Sequence, residues 1–340
     1  MDCAGKAEYT LNHIRHGIKR RLQSVAHIML TAFSHAPSRA PSRAFLRAFL
    51  RAASYVTSPV AFKIPTLFVA IFVIASGIRT APVSADDKLP RIVSINLCAD
   101  QLVMSFADDE QILSLSNLSH DAAGSYHVDK ALTFPINKGE VEEVLPLQPD
   151  LVIAGQFTSR YTLSLLQAVG LRVEQLPIAN SMEELFRNFE KVAQWTGHPS
   201  RGQATIDQFK SRLAALSQPV EPRPRVAIYD PNGYTVGAAS LRGEALNLAG
   251  WHNVATDLGI DGYGSMALET LIRLDPDALV ESPYSAETWS RAQAQNAHPA
   301  IKLRGLKARV ISIPSAQTIC GGPWTIDVIE RLEQERVASN

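Results

Sequence analysis

The chain has 340 residues, with 33 Lys and Arg against 33 Asp and Glu, and 3 cysteines. Such a length is too great for one ordinary core and suits two domains, while so few cysteines exclude a scaffold built on disulfides. Residues 1–85 hold 11 of the basic residues and only 2 acidic ones, so the remaining 255 carry 22 against 31, a net of −9; an acidic body without a basic patch excludes an ordinary nucleic-acid binder.

The basic start contains four tandem tetrapeptides, from Pro37-Ser38-Arg39-Ala40 to Phe49-Leu50-Arg51-Ala52. Their arginines at a four-residue spacing suit an acidic surface, or mark a low-complexity stretch upstream of the true initiator, which is the reading adopted. An apolar run then extends from Ile64 to Ile78, preceded by Lys63 and followed by Val83-x-Ala85, the small side chains that a signal peptidase accepts. The pattern predicts a secretory signal peptide with its apolar centre at 64–78, cut near Ala85, and hence an exported protein. The run is shorter than the roughly 20 residues that span a bilayer, which sets it apart from an uncleaved anchor.

Beyond residue 90 the elements alternate. Arg91–Ile95 reads as a strand, Asn96–Gln101 as a loop and helix start with Leu102, Val103 and Phe106 on the helix's apolar face, and Ile112–Leu115 as a second strand. The polar loop from Asn117 to Asn137 carries His120, Tyr126 and His127. A short helix leads to a strand at Leu151–Ala154, and a helix over Tyr161–Val169, ended by Gly170, feeds a strand at Arg172–Leu176. Alternating strands and helices imply a mainly parallel, doubly wound sheet over residues 90–180.

Residues 181–222 show no strand pattern. Ser181-x-x-Glu184 forms a capping box for a helix that Gly197-His198-Pro199 stops. A second helix from Ser200 puts Ile206, Phe209, Leu213 and Leu216 on one stripe and spans about 25 Å, long enough to join two lobes as a strut. Residues 223–340 then resume the αβ pattern: strands at Arg225–Tyr229, Ala278–Glu281 and Val310–Ile313, helices at Leu241–Ala249 and Trp324–Val337. Asp230-Pro231-Asn232-Gly233-Tyr234 makes a turn after the first strand. Gly321-Gly322 makes another before the last helix, read as bringing backbone amides up to a ligand.

One pattern occurs twice. Glu142…Leu147-x-Pro149-Asp150-Leu151-Val152 and Glu269…Leu274-x-Pro276-Asp277-Ala278-Leu279 each place Pro-Asp seven and eight residues after a Glu. Each copy is a short helix opened by an acidic residue and turned by Pro-Asp into a buried strand. Two related lobes, each offering one exposed Glu, suggest docking onto a two-fold partner.

The arrangement resembles the periplasmic substrate-binding proteins of ABC importers for ferric chelates, haem and vitamin B12, the family with a helical backbone between its lobes. The markers are Ile92–Gln101, the stretch 142–155, the strut and Glu269…Pro276-Asp277, covering about residues 90–338. The resemblance implies an α/β fold of two doubly wound lobes, no enzymatic activity and no resident cofactor. It also implies a monomer that captures a metal chelate in the periplasm, a corrinoid such as vitamin B12 or a ferric siderophore before haem. Glu142 and Glu269 fall where that family pairs with arginines of a dimeric permease in the inner membrane.

In such a fold the ligand sits beyond the carboxyl ends of the strands, between the lobes. The loops converging there offer Asn96, Cys98, Tyr126, His127, Lys138, Phe157, Arg160, Asn232, Tyr234, Thr318, Cys320 and Trp324. Tyr126, Phe157, Tyr234 and Trp324 suit a flat macrocycle. Lys138 and Arg160 are too few cations for a highly anionic tris-catecholate. His120 and His127 suit iron or cobalt; with Asp121 alone they are too few for free zinc or manganese, although Asp230 or His252 can add a ligand from the other lobe, which leaves a free metal ion as a second ligand class. Cys98 and Cys320, one per lobe, are open to three arrangements: separate buried thiols, a disulfide across the cleft, or a ligand-contacting pair. The same architecture serves metallocluster enzymes, in which Cys98 and Cys320 would ligate a cluster, though two cysteines are short of the usual four; no phosphate-binding loop, His-Glu-x-x-His or Gly-x-Ser-x-Gly supports catalysis.

Overall fold

The computed structural model describes residues 88–217, 219, 221–284 and 308–338. The tandem tetrapeptides, the apolar run 64–78 and the cut expected near Ala85 lie outside them. No helix among the described residues is long and apolar enough to cross a membrane.

The N-terminal lobe is a five-stranded parallel sheet in the order β3-β2-β1-β4-β5. Its strands are β1 (Ile92–Ser94), β2 (Ile112–Ser116), β3 (Ile136–Asn137), β4 (Leu151–Gly155) and β5 (Val173–Leu176). Every residue of β1 and β4 is buried, as expected for central strands covered on both faces. Helices α1 (Leu97–Phe106), α2 (Val128–Ala131), α3 (Val141–Val144) and α4 (Arg160–Ala168) connect them. α1 starts where the Asn96 side chain accepts the backbone N–H groups of Cys98 at 3.1 Å and Ala99 at 3.3 Å.

The connector is the expected pair of helices, folded into a hairpin. α5 (Met182–Thr196) opens on Ser181, whose hydroxyl accepts Glu184 N–H at 3.2 Å, and closes on Gly197 at φ 87°, a left-handed cap that glycine adopts freely. α6 (Pro199–Ala214) follows at once, starting at Pro199 rather than Ser200. The Phe186 and Phe209 rings meet edge-on at 5.1 Å and lock the two helices.

The C-terminal lobe repeats the plan in a parallel sheet ordered β11-β10-β6-β8. It comprises β6 (Arg225–Ile228), β8 (His252–Asn253), β10 (Ala278–Glu281) and β11 (Arg309–Ser312), with α7 (Leu241–Leu248), α8 (Leu268–Leu274) and α9 (Thr325–Val337). A separate antiparallel pair, β7 (Tyr234–Val236) with β9 (Tyr263–Ser265), stands beside it. The two copies of the sequence repeat occupy equivalent places. α3 precedes β4 and α8 precedes β10, and β4 and β10 flank β1 and β6 respectively. Each copy turns on a left-handed residue, Gln148 at φ 47° and Asp275 at φ 42°, before its Pro-Asp.

One hydrophobic core runs through all three parts. It contains Leu102, Ile153 and Phe106 from the first lobe, Phe189 and Phe209 from the hairpin, and Ile228, Val280 and Ile329 from the second.

Candidate functional site

A cleft of about 580 Å³ lies between the lobes. Its walls are the carboxyl ends of the parallel strands and the segments that leave them: Asn96 and Cys98 after β1, Gly155 at the end of β4 with Gln156 and Phe157 after it, and Pro177–Ala179 after β5. The other lobe supplies Asp230 after β6, Ser282 and Tyr284 after β10, and Ser315 with Thr318–Gly321 after β11. This is where open αβ sheets place ligands.

The rim is aromatic. Phe157, 81% exposed, stands on the N-terminal side, while Tyr234 and Tyr263 stack on the other with ring centroids 6.3 Å apart. Burial, then the neighbouring Tyr263, pushes the Tyr234 hydroxyl above its ordinary pKa, and a hydrogen bond to Asp121, then burial, does the same for Tyr284. Both phenols are therefore protonated hydrogen-bonding groups at neutral pH.

The C-terminal wall holds an ion pair. Arg242 Nη2 donates to Asp230 Oδ1 at 3.3 Å and to Ser282 Oγ at 3.1 Å, and Ser282 N–H donates to the same Asp230 oxygen at 3.3 Å. Asp230 is 8% exposed, and that guanidinium is its ion-pair partner in the wall. Among the described residues lining the cleft, Arg242 is the one Lys or Arg, and it is already neutralised.

Of the residues picked from sequence, Asn96, Cys98, Phe157, Tyr234, Thr318 and Cys320 line this cleft. Cys98 and Cys320 are joined in a disulfide with their Cα atoms 5.2 Å apart, which selects one of the three arrangements left open. Lys138, Arg160 and Asn232 are exposed and outside the lining. Lys138 follows edge strand β3 and donates its backbone N–H to Glu143 Oε2 at 2.6 Å, just before Gly139 at φ 78°; Asn232 serves the turn itself at φ 62°.

Tyr126, His127 and Trp324 border a second cavity of about 350 Å³ with α6. There Tyr126 stacks on Trp324 at 4.4 Å with 15° between planes, and His127 meets the Trp324 edge at 5.3 Å. These flat side chains pack against one another across the lobes. His127 Nε2 lies 3.2 Å from Ser105 Oγ, and burial, then Lys130, holds its pKa below the usual histidine range. His120 Nε2 lies 2.9 Å from Ala131 O. Among the described residues no three His, Cys, Asp or Glu converge as a metal site.

The glycine turn, whose Gly321 lines the cleft, also has a packing role. A Cβ on Gly322 would stand 2.1 Å from the Trp324 ring, and one on Gly321 would meet Leu241 and Leu185 at 2.6 and 2.8 Å. Gly322 N–H is held by Thr325 Oγ1 at 3.0 Å.

Sequence reasoning missed Arg242, Tyr263 and Tyr284. Arg242 left one signal: behind the N-cap Ser240 it puts a cation in a helix's first turn, where the dipole disfavours it unless an anion is near.

Residues 92–302 match the family described as periplasmic binding protein, and the chain belongs to that family, one of binding proteins rather than enzymes. It is 27% identical over 208 residues, 58% of its length, to a cobalamin-binding protein of Halobacterium salinarum, and spans 55% of that relative. It is 23% identical over 258 residues to a vitamin B12-binding protein of Vibrio parahaemolyticus, covering 73% of this chain and 91% of the other. A periplasmic haem-binding protein from Pseudomonas aeruginosa superposes with a TM-score of 0.58 at 24% identity, over 74% of this chain and 94% of that one. The last likeness concerns the fold.

Proposed function

We propose that this protein is the substrate-binding component of an ABC importer and that it carries a corrinoid of the vitamin B12 type between its lobes. The observation that carries the ligand class is the cleft's chemistry: aromatic rims over walls of amides and hydroxyls, with its single described cation already paired. A corrin presents broad apolar faces edged with neutral amides, which such walls match by stacking and hydrogen bonding. Haem brings two carboxylates and a tris-catecholate siderophore three anionic rings, and each would need cations that the described lining does not offer free. The names borne by the halobacterial and vibrio relatives support the same ligand.

Export through the segment ending near Ala85, action in the periplasm as a monomer, and docking of Glu142 and Glu269 onto a dimeric permease complete the reading. Both glutamates are exposed in the first turns of α3 and α8, at equivalent places in the two lobes. Exposed charges of this kind steer encounter and set register more than they add affinity.

Calorimetric titration with cyanocobalamin, cobinamide, haem and a panel of ferric siderophores tests the ligand. Saturable one-to-one binding of the two corrinoids, at least 100-fold tighter than that of haem, is expected. Tight haem or siderophore binding without corrinoid binding would overturn the ligand class.

A further inference from the structure

The loop from Ser315 to Trp324 of the C-terminal lobe is stitched to the N-terminal lobe at three successive points. Ser315 Oγ donates to Ala123 O, Cys320 is bonded to Cys98, and Trp324 stacks on Tyr126. Further out, Tyr263 Oη donates to Asn180 Oδ1 at 3.0 Å and Tyr284 Oη to the Asp121 carboxylate. Of these ties only the disulfide is covalent; the three hydrogen bonds can exchange with water at small net cost, and the Trp324–Tyr126 stack is a non-covalent ring contact. The bridge joins residues 222 apart in sequence and forms part of the cleft's surface. It is thus the covalent member of this set of ties at the cleft, and one that a small molecule entering the cleft can reach.

We propose that the Cys98–Cys320 disulfide is a redox-controlled pivot: intact, it fixes the separation of the lobes at the cleft floor, and its reduction by a small dithiol releases them to move apart. Cys98, the more exposed partner, is the point of attack. A thiolate of the dithiol bonds to Cys98 Sγ, the bond to Cys320 breaks, and Cys320 leaves as a thiolate that takes up a proton. The dithiol's second thiolate then displaces Cys98, closing the reductant into a disulfide and returning two electrons to the protein as two thiols. Cys98 departs as a thiolate at the start of ten-residue α1, whose N-terminal N–H groups favour a negative charge there. The reduced cleft keeps its walls and gains two thiols at its floor.

The inference concerns the lobes alone and stands apart from the corrinoid reading, so its test uses no ligand. Spin labels are introduced by a thiol-independent route at exposed Lys138 and Asp261, one in each lobe, and pulsed dipolar spectroscopy reads their separation before and after dithiothreitol. Mass measurement after alkylation reports the thiol state. The expected result is a shift to longer distance, larger than the width of the oxidised distribution, reversed on reoxidation and reproduced by Cys98→Ser with Cys320→Ser. If both cysteines alkylate after reduction and the distances stay put, or if the folded protein resists the dithiol, the pivot is refuted. Should the double variant not fold, the reduced natural protein still decides the matter. A bridge that merely stabilises would lower the melting temperature on reduction without moving the labels.

Discussion

Asp150 and Asp277 do the same work in the two lobes. The Asp150 carboxylate accepts the backbone N–H of Arg91 at 2.8 Å, and that of Asp277 accepts the backbone N–H of Arg225 at 2.7 Å. In return Asp150 N–H donates to Arg91 O and Asp277 N–H to Arg225 O, both at 2.9 Å. The repeat's Pro-Asp is thereby a clasp between the strand it opens and the strand that begins its lobe. Each arginine side chain also reaches back to the preceding turn, Arg91 to Gln148 O and Arg225 to Leu274 O. Asp150→Ala or Asp277→Ala should each lower stability in urea by about 1 kcal/mol, solvent screening keeping the loss small, and the two losses should add.

The Arg91 N–H and guanidinium hold the Asp150 carboxyl below its ordinary value of 3.8. A depressed acid contributes stability that is complete above the unfolded pKa and lost as pH falls through the folded one. Acid unfolding of Asp150→Asn should therefore lack that part of the wild-type loss below pH 4, which urea curves across the acid range would show.

Removing Arg242 strands Asp230. Arg242→Met should destabilise the protein by about 3 kcal/mol, since an unpaired carboxylate is left in a mostly buried wall. Replacing both partners, Arg242→Met with Asp230→Leu, should recover most of the loss in the same measurement. Equal destabilisation by the single and double changes would show that the pair contributes through packing alone.

Asp100 gives a pH dependence of the opposite sign. It is fully buried on α1, where its carboxylate accepts Ser116 N–H at 3.1 Å and the Ser116 hydroxyl, yet burial outweighs these bonds and pushes its pKa up to about 7. Because the folded state keeps the proton longer than the unfolded chain, stability declines from the unfolded value of 3.8 up to about pH 7 and is level above. The decline amounts to roughly 4 kcal/mol at most. Asp100→Asn should flatten it, so that urea midpoints at pH 5 and pH 8 converge.

Reversing Glu142 and Glu269 tests the proposed partner. Glu142→Arg with Glu269→Arg should abolish corrinoid uptake by cells that depend on this protein, with the calorimetric affinity unchanged. Undiminished uptake would exclude these two positions as the contact with the permease.

Much of this was legible in the chain. The buried strands announce themselves as apolar runs, and Ser181 with Gly197 frames α5 because capping chemistry is local. The repeat showed through because Pro-Asp performs one fixed mechanical task twice. Strands of two or three residues such as β3, β7, β8 and β9 left no periodic signature, being set by the sheets and turns around them. For the same reason Tyr263 stayed hidden. The grouping of Tyr126, His127 and Trp324 was legible only as three flat side chains; whether such rings face a ligand or each other depends on loop geometry that no spacing encodes.

The core that threads both lobes and the hairpin bears on how such a protein can be recombined. Phe189 and Phe209 present apolar surface to a common interior reaching Ile153 on one side and Ile329 on the other. A chimera that joins the N-terminal lobe of this chain to the C-terminal lobe of a relative at the connector would therefore inherit mismatched hairpin faces. Exchange of ligand specificity is better sought by transplanting the loops beyond the strand ends, which touch the cleft and leave that shared interior intact.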